Sequence, residues 1–396
     1  MYKINREDTV KLLSNLVAIE STYFEEEEII NYVNDWFVNN NMKSTIHEYY
    51  DSKVTKFHGK NVVSELIGEK KGPTICLNGH LDTVNLCDGW VKNPKGEIDG
   101  DIMYGRGALD MKSGCAAILT ALKAFNENHK SFKGRILTTL VSDEEGPYGL
   151  GTNALIEDGI LDDVDVAIIT EPSSGFTEKD FPTLCLGARG GYGLSVEFFG
   201  KSAHAATPEL GVNAITSASK FVSEIENIDY LEDDFLGKGS ACVISIEGDG
   251  GACSVPDYSK VTLFWHIVVG ETTDTIISQI EEAIKRARIK GEYKITFRPS
   301  PTEGSKGFMP YKVDRKNKTV KDFSESIVSV CGIEPSISAF ASIGDFNYLG
   351  TRLGGVPALV FGAAGKNYHG ANEYVEIDTV VDTAKIVYDY LVRTLV

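Results

Sequence analysis

His80, Asp110, Glu145, Glu171 and His369 are scattered over about three hundred positions, yet each sits in a short, unusual local context. All five offer the nitrogen or oxygen donors that zinc and related divalent ions accept. Brought together, they would form a site with room for two metal ions and one shared carboxylate. Such a site would make the chain a metal-dependent hydrolase. Whether they converge depends on the elements that carry them.

Four of the five follow a segment that reads as a strand. His80 lies in GHLDTV at 79–84, directly after the apolar run TICLN. Open α/β sheets place their sites at the carboxyl ends of strands. Side-chain direction repeats every two residues in an extended segment, so His80 and Asp82 point the same way. Asp82 could then accept a hydrogen bond from the second ring nitrogen of His80 and fix its tautomer. Glu144 and Glu145 sit in SDEEGPYGLGT after RILTTLVS. Adjacent on an extended backbone, they point apart: one toward a metal, the other toward a water as general base. Glu171 lies in ITEPS after DVAIIT, held extended by Pro172. His369 lies in the Gly-containing loop GKNYHGANEYV after VPALVFG. Asp110 instead lies in YGRGALDMKSG, before a helix pattern, where a carboxylate is electrostatically favoured. Taken singly, each segment has a plainer reading as a capped turn, a surface loop or a solvated acidic patch.

The surrounding pattern supplies a scaffold. Helical spacing appears at Val10, Leu13, Leu16 and Val17, and again at Ile29, Ile30, Val33 and Phe37. Thr22 with Glu25 resembles a capping box opening the second of these helices. GCAAILTALKAF at 114–125 reads as a helix, and strands alternating with helices imply a largely parallel sheet. From about 188 the texture changes to strand, helix, two strands, helix and strand, the ferredoxin-like order. After about 300 the α/β texture returns, ending in a long helix near 376–394. The expected domains are therefore 1–187 and 301–396, forming one α/β catalytic domain with a mixed, largely parallel sheet, and an inserted α+β domain at 188–300.

Composition narrows the class. At 396 residues the chain is too long for one ordinary core. A formal net charge of −18 argues against nucleic acid or an anionic membrane as partner. The opening segment lacks a signal-peptide pattern, and the seven cysteines form no CxxC pair. A reducing cytoplasm is the expected location.

Read together and in order, GHLDTV, GRGALDMKSG, DEEG, TEPS and HGANEYV resemble the M20 family of metallopeptidases and deacylases, the group of acetylornithine deacetylase and succinyl-diaminopimelate desuccinylase. The resemblance covers nearly the whole chain. It implies two zinc ions per chain, with cobalt or manganese as substitutes. His80 and Glu171 would hold one ion and Glu145 and His369 the other, with Asp110 bridging. Asp82 would orient His80, and Glu144 would be the general base for a metal-activated water that attacks an amide carbonyl. His204, in GKSAHAATPELGVNAI, would stabilise the oxyanion from across a homodimer formed through the inserted domain, which would act as dimerisation and lid domain. The bond Asp110–Met111 would be cis.

The chain departs from its relatives in GGACSVPDYSKVTLFWHIVVGET at 250–272. Cys253 and His266 stand where amino-acid deacylases of the family carry the Asn and Arg that hold a substrate carboxylate. Arg189, Lys306 and Arg352 are candidates to replace them. The expected reaction is amide hydrolysis of an N-acyl amino acid, by a deacetylase- or desuccinylase-like enzyme. A dipeptidase or carboxypeptidase acting on short peptides is the alternative, and a non-catalytic metal-binding assembly module is the reading from another class.

Overall fold

The computed structural model describes residues 4–177, 179–302, 304 and 307–396. Two compact units emerge, one reaching to Ala188 and resuming at Lys312–Val396, the other spanning Arg189–Tyr311.

The larger unit is built on a mixed sheet. Its strands run in the order Ser44–Tyr50, His58–Ile67, Lys133–Val141, Lys70–His80, Val166–Ile169, Ala358–Val360, Thr183–Ala188. The four from Lys133–Val141 to Ala358–Val360 are mutually parallel, while the two at the first edge join antiparallel. The parallel strands read as unbroken apolar runs because they are covered on both faces: Thr74–His80 and Val166–Ile169 are buried throughout. Four parallel strands send their carboxyl ends to the same side of the sheet. His80 ends one, Glu144 and Glu145 follow another, Glu171 follows the third, and the loop bearing His369 follows the fourth.

Helices flank this sheet. Lys112–Asn128 packs against Lys70–His80, Arg6–Ala18 and Ile377–Leu395. It is Ala-rich and buried over most of its length, which lets backbones approach closely. Gly114 marks the tightest point, where an added Cβ would stand 2.1 Å from the Thr170 carbonyl oxygen. A side chain there would push on the residue before Glu171. The last helix buries Ile377, Val380, Val381, Ala384, Val387 and Leu391, one stripe at helical spacing.

The capping expectation at Thr22 does not hold. The second helix is Glu27–Asn39, with Glu26 at its N-cap. Thr22 instead bridges Thr83, with Tyr23 N donating to the Thr83 carbonyl at 3.1 Å. Tertiary pairing beside the His80 strand outcompetes the local cap.

The smaller unit is an antiparallel sheet in the order Ser240–Glu247, Tyr258–Ile267, Gly190–Phe199, Glu292–Phe297. Helices Ala214–Ile225 and Thr273–Arg286 pack on it, giving the ferredoxin-like β-α-β-β-α-β arrangement. Period-two alternation turns Leu194, Val196, Phe198, Val261, Leu263 and Trp265 toward Phe221, Ile276 and Ile280. The α/β-plus-inserted-α+β class read from the sequence is the class of this fold. None of the described helices is long and apolar enough to cross a membrane.

Candidate metal centre

The five scattered residues meet at the carboxyl edge of the parallel strands. His80, Asp110 and Glu171 offer ligand atoms that all lie within 4.8 Å of one another, and so do Asp110, Glu145 and His369. Asp110 belongs to both groups and divides its oxygens between them. Its Oδ1 lies 3.3 Å from His80 Nε2 and its Oδ2 lies 3.3 Å from His369 Nε2. His80 Nε2 is also 3.4 Å from Glu171 Oε1, and His369 Nε2 is 2.9 Å from Glu145 Oε2. The Asp110–Met111 bond is cis.

Hydrogen bonds behind these groups fix them. His80 Nδ1 lies 3.0 Å from the Asp82 carbonyl oxygen and 3.5 Å from its carboxylate. Donating to that carbonyl holds a proton on Nδ1 and leaves Nε2 as the nitrogen that faces Asp110 and Glu171. The Asp82 carboxylate mainly serves another segment: its oxygens accept from the backbone N–H groups of Glu144 at 3.1 Å and Glu145 at 2.9 Å. Asp82 thus links the His80 strand end to the two adjacent glutamates, a role the two-residue spacing did not suggest.

Glu144 and Glu145 diverge. Glu145 joins the His369 group, while Glu144 lies within 4.8 Å of Glu171 and Asp345. The backbone N–H of Asp345 donates to Glu144 Oε1 at 3.1 Å, and Glu144 Oε2 is 3.9 Å from His80 Nε2. Asp345 is buried, and its own carboxylate accepts from Thr152 Oγ1. Sequence reasoning missed Asp345, although it carries the same signal as its neighbours: an acid after a glycine, in a loop following the strand Ser336–Phe340.

Carboxylates outnumber cations here, and their proton affinities record it. Burial raises Glu171 from its ordinary 4.5 to about 8, and Asp110 adds to the rise. Burial, then the charge of Asp110, raises Glu145 to about 7. Burial also pushes Glu144 well above the carboxylate range. Burial would raise Asp110 too, but hydrogen bonds from His369 and His80 outweigh it and hold the group low. Hydrogen bonds to Asp110 and Glu145 lift His369 to about 11. Among the described residues, Glu171 Oε2 is buried with no hydrogen-bond partner. A buried, orphaned carboxylate oxygen beside an imidazole nitrogen and a two-sided aspartate suits divalent cations.

The remaining sequence candidates belong to neither donor group. His204 is exposed on the smaller unit, where its Nδ1 accepts from Ala206 N at 3.1 Å. Cys253 is exposed, and its carbonyl accepts from Ala205 N at 2.9 Å, so it flanks the His204 turn. His266 is half-buried in its strand; burial, then Arg189, lowers it to about 4. Arg189 Nε donates to the Leu236 carbonyl at 3.0 Å. Arg352 is engaged by Asn153 and by Glu157 at 3.0 Å. Lys306 lies outside the described residues.

The chain is similar to known proteins over nearly its whole length. Residues 76–393 match Peptidase family M20/M25/M40. A succinyl-diaminopimelate desuccinylase from Sulfurimonas denitrificans is 31% identical over 317 residues, covering 78% of this chain and 81% of that protein. Another from Rickettsia felis is 28% identical over 397 residues, covering 98% and 100%. Among solved structures, a tripeptidase from Staphylococcus aureus superposes with a TM-score of 0.80 at 22% identity, covering 98% of both chains.

The proton affinities predict how the metal-stripped protein responds to pH. Glu171 and Glu145 bind protons more tightly folded than unfolded, as does His369. The contribution of the two glutamates is therefore complete below about pH 4.5 and drains away as pH rises through about 7 to 8, while that of His369 persists toward about 11. Thermal midpoints of metal-stripped protein should fall from pH 5 to pH 8, and added zinc should restore most at pH 8. A flat or rising midpoint over that range would contradict the assignment.

Proposed function

This chain belongs to peptidase family M20/M25/M40 and is a metal-dependent hydrolase, and from that premise we propose that it removes the acyl group from an N-acyl amino acid by amide hydrolysis at a two-metal site. The observation that carries the reading is the division of Asp110 between two separate donor sets. His80 and Glu171 would hold one zinc ion, Glu145 and His369 the other, and Asp110 both. When bound, such ions supply Lewis acidity, making a water acidic enough to ionise near neutral pH and neutralising developing negative charge.

The chain's own groups would do the rest. Glu144 is the general base. Its Oε1 is anchored by the Asp345 N–H, and burial gives the carboxyl a proton affinity suited to accept and return a proton. Oε2 takes a proton from the attacking water as its oxygen adds to the amide carbonyl. The same proton passes to the nitrogen as the C–N bond breaks, releasing the amine. Asp82 keeps His80 and Glu144 in register. His204 is the oxyanion donor: with Nδ1 accepting from Ala206, the proton resides on Nε2 and can be donated.

His204 acts in this scheme from the second subunit of a homodimer. An available sheet edge on the smaller unit supports this. Ser240–Glu247 is an edge strand with Ile244 62% and Ile246 49% exposed, the kind of edge that pairs with another copy. The cytoplasm is the proposed location, supported by seven free cysteines. The substrate is a small N-acyl amino acid, by analogy with the desuccinylase relatives. Its carboxylate contacts would depart at Cys253 and His266 from the Asn and Arg pattern of the family's amino-acid deacylases.

A screen over N-succinyl and N-acetyl amino acids and dipeptides, with added zinc, cobalt or manganese, should give turnover on the acylated amino acids. Turnover confined to dipeptides would favour the peptidase alternative. Glu144→Ala should lower kcat by roughly 10²–10⁴ with metal still bound, and hydrolysis at the wild-type rate would refute the base assignment. For His204, mixing His204→Ala chains with Glu144→Ala chains should restore part of the activity in heterodimers. No recovery in heterodimers shown to form would remove the trans role.

A further inference from the structure

A second constellation lies behind the site, on the larger unit, and the mechanism above does not use it. Arg106 and Glu373 are 6% and 1% exposed and form an ion pair, Nη1 to Oε2, at 2.7 Å. Each partner also holds the backbone of a metal-ligand candidate. Glu373 Oε1 accepts from the N–H groups of Leu109 at 3.0 Å and Asp110 at 3.1 Å. Arg106 Nη2 donates to the His369 carbonyl oxygen at 3.3 Å. The pair therefore ties the amide of Asp110 to the carbonyl of His369. The side chains of those two residues face each other at 3.3 Å.

The loop it restrains needs restraint. Asn367, His369 and Asn372 have φ of 64°, 59° and 57°, left-handed backbone that non-glycine residues adopt reluctantly. Such conformations persist only where the surroundings over-determine them. A buried ion pair is poor at stabilising a fold for its own sake, because desolvation offsets the attraction. What this pair, 267 residues apart in sequence, does that an apolar pair could not is connect two backbone groups of opposite hydrogen-bond sense. By contrast, His80 and Glu171 sit at or just beyond the ends of central strands, and none of these bonds reaches them.

We propose that Arg106 and Glu373 are positioning residues that set the spacing of Asp110 and His369, and so the metal affinity of the Asp110–Glu145–His369 position, leaving the His80–Asp110–Glu171 position nearly unchanged. The proposal rests on the two-metal reading above.

The test is a cobalt(II) titration of metal-stripped protein, followed by calorimetry and by visible absorption. Wild-type protein should show two binding steps, and the step lost in His369→Ala identifies the position concerned. In Arg106→Leu that step should weaken roughly 10- to 100-fold, with its absorption bands altered and the other step within about twofold. The charge-neutral double variant, Arg106→Leu with Glu373→Gln, separates loss of the tether from an unpaired buried charge, and it serves alone if the single variant does not fold. A weak His369 step persisting in the double variant supports the proposal. Equal weakening of both steps, or wild-type affinity in the double variant, overturns it. Fewer than two steps in wild-type protein would instead remove the two-metal reading beneath it.

Discussion

At the carboxyl edge of the sheet, more carboxylates are packed away from water than cations are present to balance them. Asp82, Asp110, Glu171 and Asp345 are each less than 5% exposed, and Glu144 and Glu145 lie alongside. Against them stand His80 and His369. Burying like charges together is costly, and the raised proton affinities of Glu144, Glu145 and Glu171 express that cost in a metal-free protein. Divalent cations relieve it. In the proposed reading, affinity for metal and readiness to act as a base have one electrostatic origin, and the rest of the structure holds the carboxylates together against their repulsion.

The holding is done by backbone. Parallel strands buried on both faces deliver His80, Glu144, Glu145 and Glu171 from rigid ends, and the helix Lys112–Asn128 presses on them at Gly114. Asp82 and Glu373 each spend their carboxylates on two neighbouring backbone N–H groups. Carboxylates of the cluster's own charge sign are thereby turned into its struts. His369 differs: it rides on a loop of left-handed residues, held from outside by Arg106.

Much of this was legible in the sequence because it follows from short-range rules. Acids and histidines after apolar runs marked strand ends, and the motif order carried the family. The α/β layer and the β-α-β-β-α-β unit followed from periodicity. What escaped depends on partners distant in sequence. Thr22 has a capping pattern, yet Thr83 claims it. Asp345 looked like any loop acid until folding set its N–H against Glu144, 201 residues away. Arg106 and Glu373 each lie in a recognised motif, but only the fold pairs them. The edge strands Ser44–Tyr50 and His58–Ile67 lack the apolar runs of the central ones and went unread.

In the proposed centre Asp110 is shared by two metal ions. Diffraction from crystals grown with zinc, collected on either side of the zinc absorption edge, tests it most directly. Two anomalous peaks are expected, one among His80, Asp110 and Glu171 and one among Asp110, Glu145 and His369. A single peak at full zinc loading, or peaks at other residues, would contradict it.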